Sequence, residues 1–181
     1  MSARLILPPT ELPVPLAAAI TKARANGAGM DAEIALEVQG IAGEVEHELQ
    51  RALVEQTWAV TMTAFPPFIP LHMAAPLIAI DHVQFYDVDG ELQTLDPQDY
   101  VVPKGSGRAR VIPAPGHRWP DTAVRADAVD VQYRCGFGVD HTAVPAPIQS
   151  YILGRIEAIY STESRTARFL DGLLDRFKVY G

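Results

Sequence analysis

The sequence changes its pattern of apolar residues abruptly near residue 55, and this change limits the folds open to the chain. From Thr57 to Thr63 most residues are β-branched or aromatic, which favours a strand, and Pro66-Pro67 ends that strand because proline cannot donate to a ladder. Before this stretch, apolar residues recur every three to four positions, as on one face of a helix: Ile34, Val38, Ile41, Val45, Leu49 and Leu53. We therefore expect a long helix over residues 32–54, N-capped by Asp31, that leads directly into a β-rich middle region.

Further helices are expected on both sides of that middle region. Residues 15–25 are rich in alanine and are followed by Asn26-Gly27-Ala28-Gly29, so they predict a short helix. A third helix is expected after Pro145-Ala146-Pro147, and a last short helix over residues 169–177. The apolar positions of the third helix are Ile148, Ile152, Ile156, Ile159 and Tyr160.

Residues 77–134 are typical of antiparallel strands joined by tight turns. Leu77 to Tyr86 predicts a strand, Asp87-Val88-Asp89-Gly90 a hairpin turn, and residues 91–95 the returning strand. Shorter strands are expected at 100–102 and 108–112, and the strict alternation over 129–134 predicts a half-buried strand. The expected fold class is therefore α+β, with N-terminal and C-terminal helices packed with a small antiparallel β region.

We expect residues 1–181 to form a single domain with extended terminal arms. Residues 1–14 predict an extended N-terminal arm, because their prolines exclude a helix. Residues 15–160 would form the helical and β core. Residues 161–181 would form a C-terminal interaction segment, which ends in the apolar and aromatic Lys178-Val179-Tyr180-Gly181.

No motif in the sequence indicates an enzyme, a cofactor or a metal site. The glycine-rich stretch after Lys104 lacks the spacing of a phosphate-binding loop, and the single cysteine, Cys135, is expected to be a buried structural thiol. No spacing singles out Asp127, Asp130 or Asp140 as partners of His141 in an acid–base site. The remaining histidines are scattered, without metal-ligand spacing: His47, His72, His82 and His117. Trp58 and Trp119 are interpreted as core or interface anchors.

Charge and hydropathy narrow the function classes further. The formal net charge of −7 argues against a free-standing nucleic-acid binder, which usually carries a basic stripe. The negative charge is compatible with a protein that lets DNA pass without binding it tightly. No stretch approaches the roughly 20 apolar residues of a membrane span, and the first residues do not have the pattern of a signal peptide.

Several short motifs, taken in order, resemble one known family. These motifs are Arg51-Ala52-Leu53, Gln56-Thr57-Trp58, Tyr86-Asp87-Val88-Asp89-Gly90, Gln93-Thr94-Leu95, Asp99-Tyr100, Val111-Ile112-Pro113-Ala114-Pro115-Gly116, Trp119-Pro120, Asp127-Ala128-Val129, Gly136-Phe137-Gly138 and Val144-Pro145-Ala146-Pro147-Ile148. Through them the sequence is similar, over residues 30–160, to the head–tail connector (adaptor) family of tailed double-stranded-DNA phages, prophages and phage-like gene transfer agents.

The resemblance implies a structural protein of the particle neck, assembled in the bacterial cytoplasm. Adaptors of this kind form a ring, usually a dodecamer, beneath the portal protein. They extend the channel for double-stranded DNA, which passes without sequence-specific binding, and they join the head to the stopper or tail-completion protein. The alternatives are a stopper or tail-completion protein, a small α+β ligand-binding or enzymatic domain, and a DNA-binding regulator.

Two sets of residues are expected to carry this role. Glu44, Glu46 and Glu48 make part of the long helix acidic. They are interpreted either as a solvated helix face or as the lining of the DNA channel, where acidic walls would avoid holding phosphates. The expected partner-binding residues lie in the C-terminal segment, since buried aromatic side chains dominate interfaces: Phe169, Leu173, Phe177 and Tyr180.

Overall fold

The computed structural model describes residues 1–104, 108–161, 170 and 172–178, and within them it contains helices and antiparallel sheets. The α+β class is confirmed. The helices are α1 (Leu16–Lys22), α2 (Asp31–Leu49) and α3 (Ala146–Tyr160), with short 3-10 turns at His141–Ala143 and Asp175–Phe177. The strands are β1 (Ser2–Leu7), β2 (Gln56–Met62), β3 (Ile69–Pro70), β4 (Leu77–Tyr86), β5 (Leu92–Thr94), β6 (Tyr100–Val101), β7 (Arg110–Pro113) and β8 (Val129–Cys135).

The chain divides into two compact units, each assembled from segments that are distant in sequence. The β unit contains residues 1–8 and 56–136, apart from the undescribed 105–107. The helical unit contains residues 9–55 and the described residues between 137 and 178. β1 therefore belongs to the β unit, although the next elements along the chain, α1 and α2, belong to the helical unit.

The helical unit is built around the apolar faces of α2 and α3. Five of the α2 positions that the periodicity predicts are buried: Ile34, Val38, Ile41, Val45 and Leu49. In α3 the predicted positions Ile148, Ile152 and Ile156 have no exposed surface, whereas Ile159 is 54% exposed. Ile159 shares the face of Ile152 and Ile156, but it lies in the last turn of α3, which ends at Tyr160.

α2 is shorter than predicted, for a local reason. It ends at Leu49 and not at residue 54, because Gln50 adopts the left-handed conformation (φ 54°). The carboxylate of Glu46 then accepts the backbone N–H of Leu53 at 2.8 Å, which stabilises the turn that follows. Leu53 is buried as predicted, but from this irregular segment and not from the helix. At the other end, the N-cap is Met30 and the predicted cap Asp31 is the first helical residue.

The β unit contains a five-stranded sheet in the order β1-β2-β8-β4-β5 and a three-stranded sheet in the order β3-β7-β6. The central strand β8 alternates between buried and half-buried residues, as its sequence predicts. The β4–β5 hairpin is confirmed, with Gly90 at φ 83°, a conformation that favours glycine. Residues 2–7, predicted only as an extended arm, form strand β1 and pair with β2.

Register shifts in β4 change which of its residues share a face. Simple alternation places Ile80 and His82 on the same face of the strand. The pairing of β4 with β8 shifts between Ile80 and His82, so Ile80 lies opposite Tyr133 and His82 lies opposite Gln132. Neighbouring positions of β8 point to opposite faces. Ile80 therefore joins the apolar face of the sheet, and His82 lies on the polar face.

Candidate assembly surfaces

The sheet of the β unit has a polar face organised around one carboxylate. Asp130 accepts hydrogen bonds from Thr61 Oγ1 at 3.0 Å and from Arg4 Nη2 at 3.3 Å, and His82 Nε2 lies 3.3 Å from its second oxygen. These four side chains belong to four different strands. The carboxylate therefore ties the polar face together across β1, β2, β8 and β4, and its neighbours hold it in a structural role.

The other residues considered for an acid–base site do not meet Asp130. Asp127 forms a two-pronged ion pair with Arg125, at 2.6 and 2.8 Å, and these hydrogen bonds lower the pKa of Asp127. Asp140 accepts hydrogen bonds from the backbone and side chain of Thr142, which lower its pKa and cap a short turn. Each carboxylate thus has a local partner. Among the residues that the structure describes, no group of three or more His, Cys, Asp or Glu side chains could hold a metal ion.

The tryptophans and the cysteine lie in packed environments. Trp119 stacks on Phe65, with ring centroids 4.8 Å apart and planes 10° from parallel. Trp58 meets His72 edge-on, with centroids 4.9 Å apart. Cys135 is fully buried in β8, as predicted for a structural thiol. No described helix has both the length and the apolar character of a membrane span.

Glu44, Glu46 and Glu48, the glutamates of α2 that were predicted as site residues, are in three different environments. Glu44 forms an ion pair with Arg155 at 3.0 Å, and Glu48 forms one with Lys178 at 3.0 Å. The side chain of Glu44 is 64% exposed and that of Glu48 is 45% exposed, so both carboxylates still reach solvent. Glu46 is half-buried and accepts the N–H of Leu53. The outer two can contribute charge to a surface, while Glu46 also holds the local backbone.

The described part of the C-terminal segment packs on the helical unit itself. Leu174, which the sequence did not single out as a site residue, is 4% exposed and belongs to the core of this unit. Phe177 is half-buried against the same core, and its carbonyl accepts a hydrogen bond from Arg51 Nε. Burial lowers the pKa of the Arg51 guanidinium. Leu173 is half-buried, and the predicted anchors Phe169 and Tyr180 lie outside the described residues.

A loop that the sequence analysis did not single out presents an exposed apolar side chain. Val124 is fully exposed. The guanidinium of Arg125 lies 3.6 Å from the ring centroid of Tyr86 while it binds Asp127, and the hydrogen bond to Asp127 raises the pKa of Arg125. The N–H of Ala123 donates to the carbonyl of Tyr86 at 2.9 Å. These contacts attach the loop to Tyr86 at the end of β4. The only sequence signal was an arginine two residues before an aspartate.

Comparisons with known proteins identify the fold. No protein-family profile matches the sequence, and no curated protein matches it. Three solved structures match over 100% of this chain and 97% of their own chain. One is the neck of an empty GTA particle computed with C6 symmetry (16% identity, TM-score 0.81), and another is the virion of a native gene transfer agent (GTA) particle (17%, 0.82). The third is the neck of a native GTA particle computed with C12 symmetry (16%, 0.75). At this identity the match shows a shared fold.

Proposed function

We propose that this chain is a structural protein of the neck of a virion or a phage-like particle. The observation that carries the proposal is the fold match, which covers the entire chain and comes from necks of gene transfer agent particles. The short motifs shared with head–tail connectors support the same role independently. The local hydrogen bonds and ion pairs that engage Asp127, Asp130 and Asp140 also favour a structural function over an enzymatic one.

Within the neck, the proposed role is that of the head–tail adaptor. Copies of the chain form a ring, a dodecamer as in the adaptor family, beneath the portal protein. The ring extends the channel for double-stranded DNA and carries the stopper or tail-completion protein on its other side. The sixfold and twelvefold symmetries with which the matching necks were computed support a ring of twelve copies. The net charge of −7 suits a channel that does not retain DNA.

Deletion of the gene tests this role. Negative-stain electron microscopy of the resulting particles should show heads and intact tails that are separate, and addition of the purified protein should restore joining. Normal tailed particles would reject the neck role. Cross-linking of the restored particles followed by mass spectrometry then distinguishes an adaptor, which must contact the portal protein, from a stopper or tail-completion protein.

We propose that Glu44 and Glu48, which lie one helical turn apart on α2 and reach solvent, line the DNA channel, and that the half-buried Glu46 contributes less. Replacement of Glu44 and Glu48 by lysine should slow DNA release from particles, because lysine would bind phosphates and release counterions. The matched control is Glu91→Lys, an exposed glutamate of the β unit. Dye-monitored DNA release at the same rate in all variants would contradict this placement.

The C-terminal residues Phe169, Leu173, Phe177 and Tyr180 are the proposed contacts to the portal protein or to a neighbouring copy. Truncation is a poor test, because Phe177 and Lys178 also interact with the chain's own helical unit. Leu173→Ala and Tyr180→Ala are better variants, with Phe68→Ala, a half-exposed aromatic of the β unit, as the control. Portal binding that stays at the unmodified level in both variants would contradict the proposal.

A further inference from the structure

Strand β1 is an edge strand with an open outer side. It pairs with β2 in antiparallel register from Ser2 opposite Thr61 to Leu7 opposite Thr57. In the sheet order it has no neighbour on its other side among the described strands. An edge strand exposes a row of unpaired N–H and C=O groups, to which another chain can bind.

The side chains of β1 are also uncovered. Five of its six residues are exposed and only Ile6 is half-buried. Leu5 is 43% exposed and Leu7 is 60% exposed. A register shift between them places Leu5 opposite Trp58 and Leu7 opposite Thr57, which are adjacent residues of β2. The two leucines therefore lie on opposite faces of the sheet, so each face has an exposed apolar side chain at this edge.

β1 has few of the devices that usually protect an edge: one charged residue, Arg4, and the register shift between Leu5 and Leu7. Such strands are commonly short, charged or interrupted by proline. The opposite edge of the same sheet, β5, has only three residues, whereas β1 has six and contains no proline. Its single charge, Arg4, forms an ion pair with Asp130. A six-residue edge with two exposed leucines and no proline indicates a surface that is covered in the assembled state.

We propose that β1, with Leu5 and Leu7, contacts a second copy of this chain in the assembled ring. This inference rests on the proposed neck function. In a closed ring each copy presents two different surfaces to its two neighbours, and this edge would be one of them. Each copy carries a net charge of −7, so copies repel one another over most of their surface. The edge of β1 is apolar and its one charge is already paired, which makes it suitable for contact between identical chains.

A photo-crosslinking residue at position 7 tests which molecule covers the edge. Particles are assembled with the chain that carries benzoylphenylalanine in place of Leu7, irradiated, and their proteins are separated and identified by mass spectrometry. Adducts at multiples of 19.7 kDa that contain only this chain would support the proposal. An adduct with a different neck protein, or no adduct from particles that contain the chain, would overturn it. The same residue at position 88, an exposed hairpin-tip valine, is the matched control and should give less self-adduct.

Introduction of negative charge at the edge gives a second readout. Leu5→Glu and Leu7→Glu should leave the thermal unfolding of the free protein unchanged, because both side chains are exposed. Together they should reduce incorporation into particles by about tenfold or more, since a buried carboxylate would lack a partner in the contact. Val88→Glu should be incorporated normally. Normal incorporation of the Leu5→Glu, Leu7→Glu variant would overturn the proposal.

Failure of the neck function is distinguishable from failure of this contact. Immunoblots of purified particles report whether the chain is present at all, independently of cross-linking. If it is absent, the neck function fails, and the position-7 probe is applied to the purified protein at high concentration. Multiples of 19.7 kDa there would still support the self-contact, whereas chain that remains uncrosslinked would overturn it.

Discussion

Helix α2 and strand β1 belong to different units, and they differ in what holds them in place. α2 buries five regularly spaced apolar side chains in the core of the helical unit. β1 buries none of its side chains and is held by strand pairing with β2 and by the ion pair from Arg4 to Asp130. An element that buries apolar surface contributes to the stability of its own unit. In β1, the exposed surface of Leu5 and Leu7 is the part that we propose a second copy covers.

The largest expected effect tests the burial side of this comparison. Ile152→Ala removes a fully buried side chain from the core of the helical unit and should lower the free energy of unfolding by about 2–5 kcal/mol. Leu7→Ala in β1 should lower it by less than about 0.5 kcal/mol, because that side chain is mostly exposed. Urea denaturation followed by circular dichroism measures both. Similar losses in the two variants would contradict the assignment of β1 to an assembly role.

A second variant tests whether the β unit has a fixed interior despite its open edge. Tyr133 in β8 has no exposed surface, and its hydroxyl donates to the carbonyl of His72 at 2.7 Å. Burial raises the pKa of this phenol well above its ordinary value. Tyr133→Phe leaves that carbonyl without its donor and should lower the free energy of unfolding by about 1–2 kcal/mol. An unchanged urea midpoint would mean that water replaces the hydroxyl and that the interior is open.

The raised pKa of Tyr133 also gives a direction for the pH dependence. A phenol that is protonated in the folded state contributes stability below its unfolded pKa, and this stability is lost as the pH rises above the ordinary tyrosine range. Tyr133→Phe should therefore reduce the loss of stability at alkaline pH, as measured by urea midpoints across that range. If the variant loses as much stability at alkaline pH as the unmodified chain, that loss comes from other titratable groups.

The helices contain a matched pair of glycines that sharpens the comparison further. Gly40 in α2 is exposed, and a Cβ there would meet nothing within 4 Å. Gly154 in α3 is buried, and a Cβ there would lie 2.5 Å from Leu170 Cδ2. Gly40→Ala should raise the free energy of unfolding by about 0.5–1 kcal/mol through helix propensity. Gly154→Ala should lose this gain, because Leu170 must move out of a packed position. Equal stabilisation in both variants would show that α3 is loosely packed there.

The sequence could predict those parts of the fold that local chemistry determines. The apolar period of α2 and α3, the Asp87–Gly90 turn and the alternation of β8 each act within a few residues, and each is confirmed. The end of α2 could not be predicted, because it depends on the left-handed Gln50 and on the bond from Leu53 to Glu46. β1 could not be placed either. Among the described strands it pairs with β2, about 50 residues further along the chain, and no pattern in residues 2–7 identifies that strand.

For the candidate assembly surfaces too, the sequence could predict only what local residues determine. Residue type and motif order were enough to indicate a structural neck protein and an acidic α2. They could not show that Glu44 and Glu48 are paired with cations, because Arg155 and Lys178 are more than 100 residues away in sequence. The loop around Val124 could not be predicted for a similar reason, since Arg125 contacts the ring of Tyr86, which is distant in sequence.

The smallest expected effect concerns the hairpin at the other end of the five-stranded sheet, and it is a pH effect. The carboxylate of Asp87 accepts hydrogen bonds from the side chain of Gln93 and from the backbone N–H groups of Glu91 and Asp89, and these bonds lower its pKa. Because its folded pKa is depressed, Asp87 stabilises the hairpin above its unfolded pKa, and this contribution is lost as the pH falls through the folded pKa. An NMR titration should give Asp87 a pKa below the ordinary aspartate range, with local shifts confined to the hairpin. Gln93→Ala should move the pKa of Asp87 back upward. A pKa in the ordinary aspartate range for the unmodified chain would mean that these hydrogen bonds do not hold the hairpin turn in the free protein.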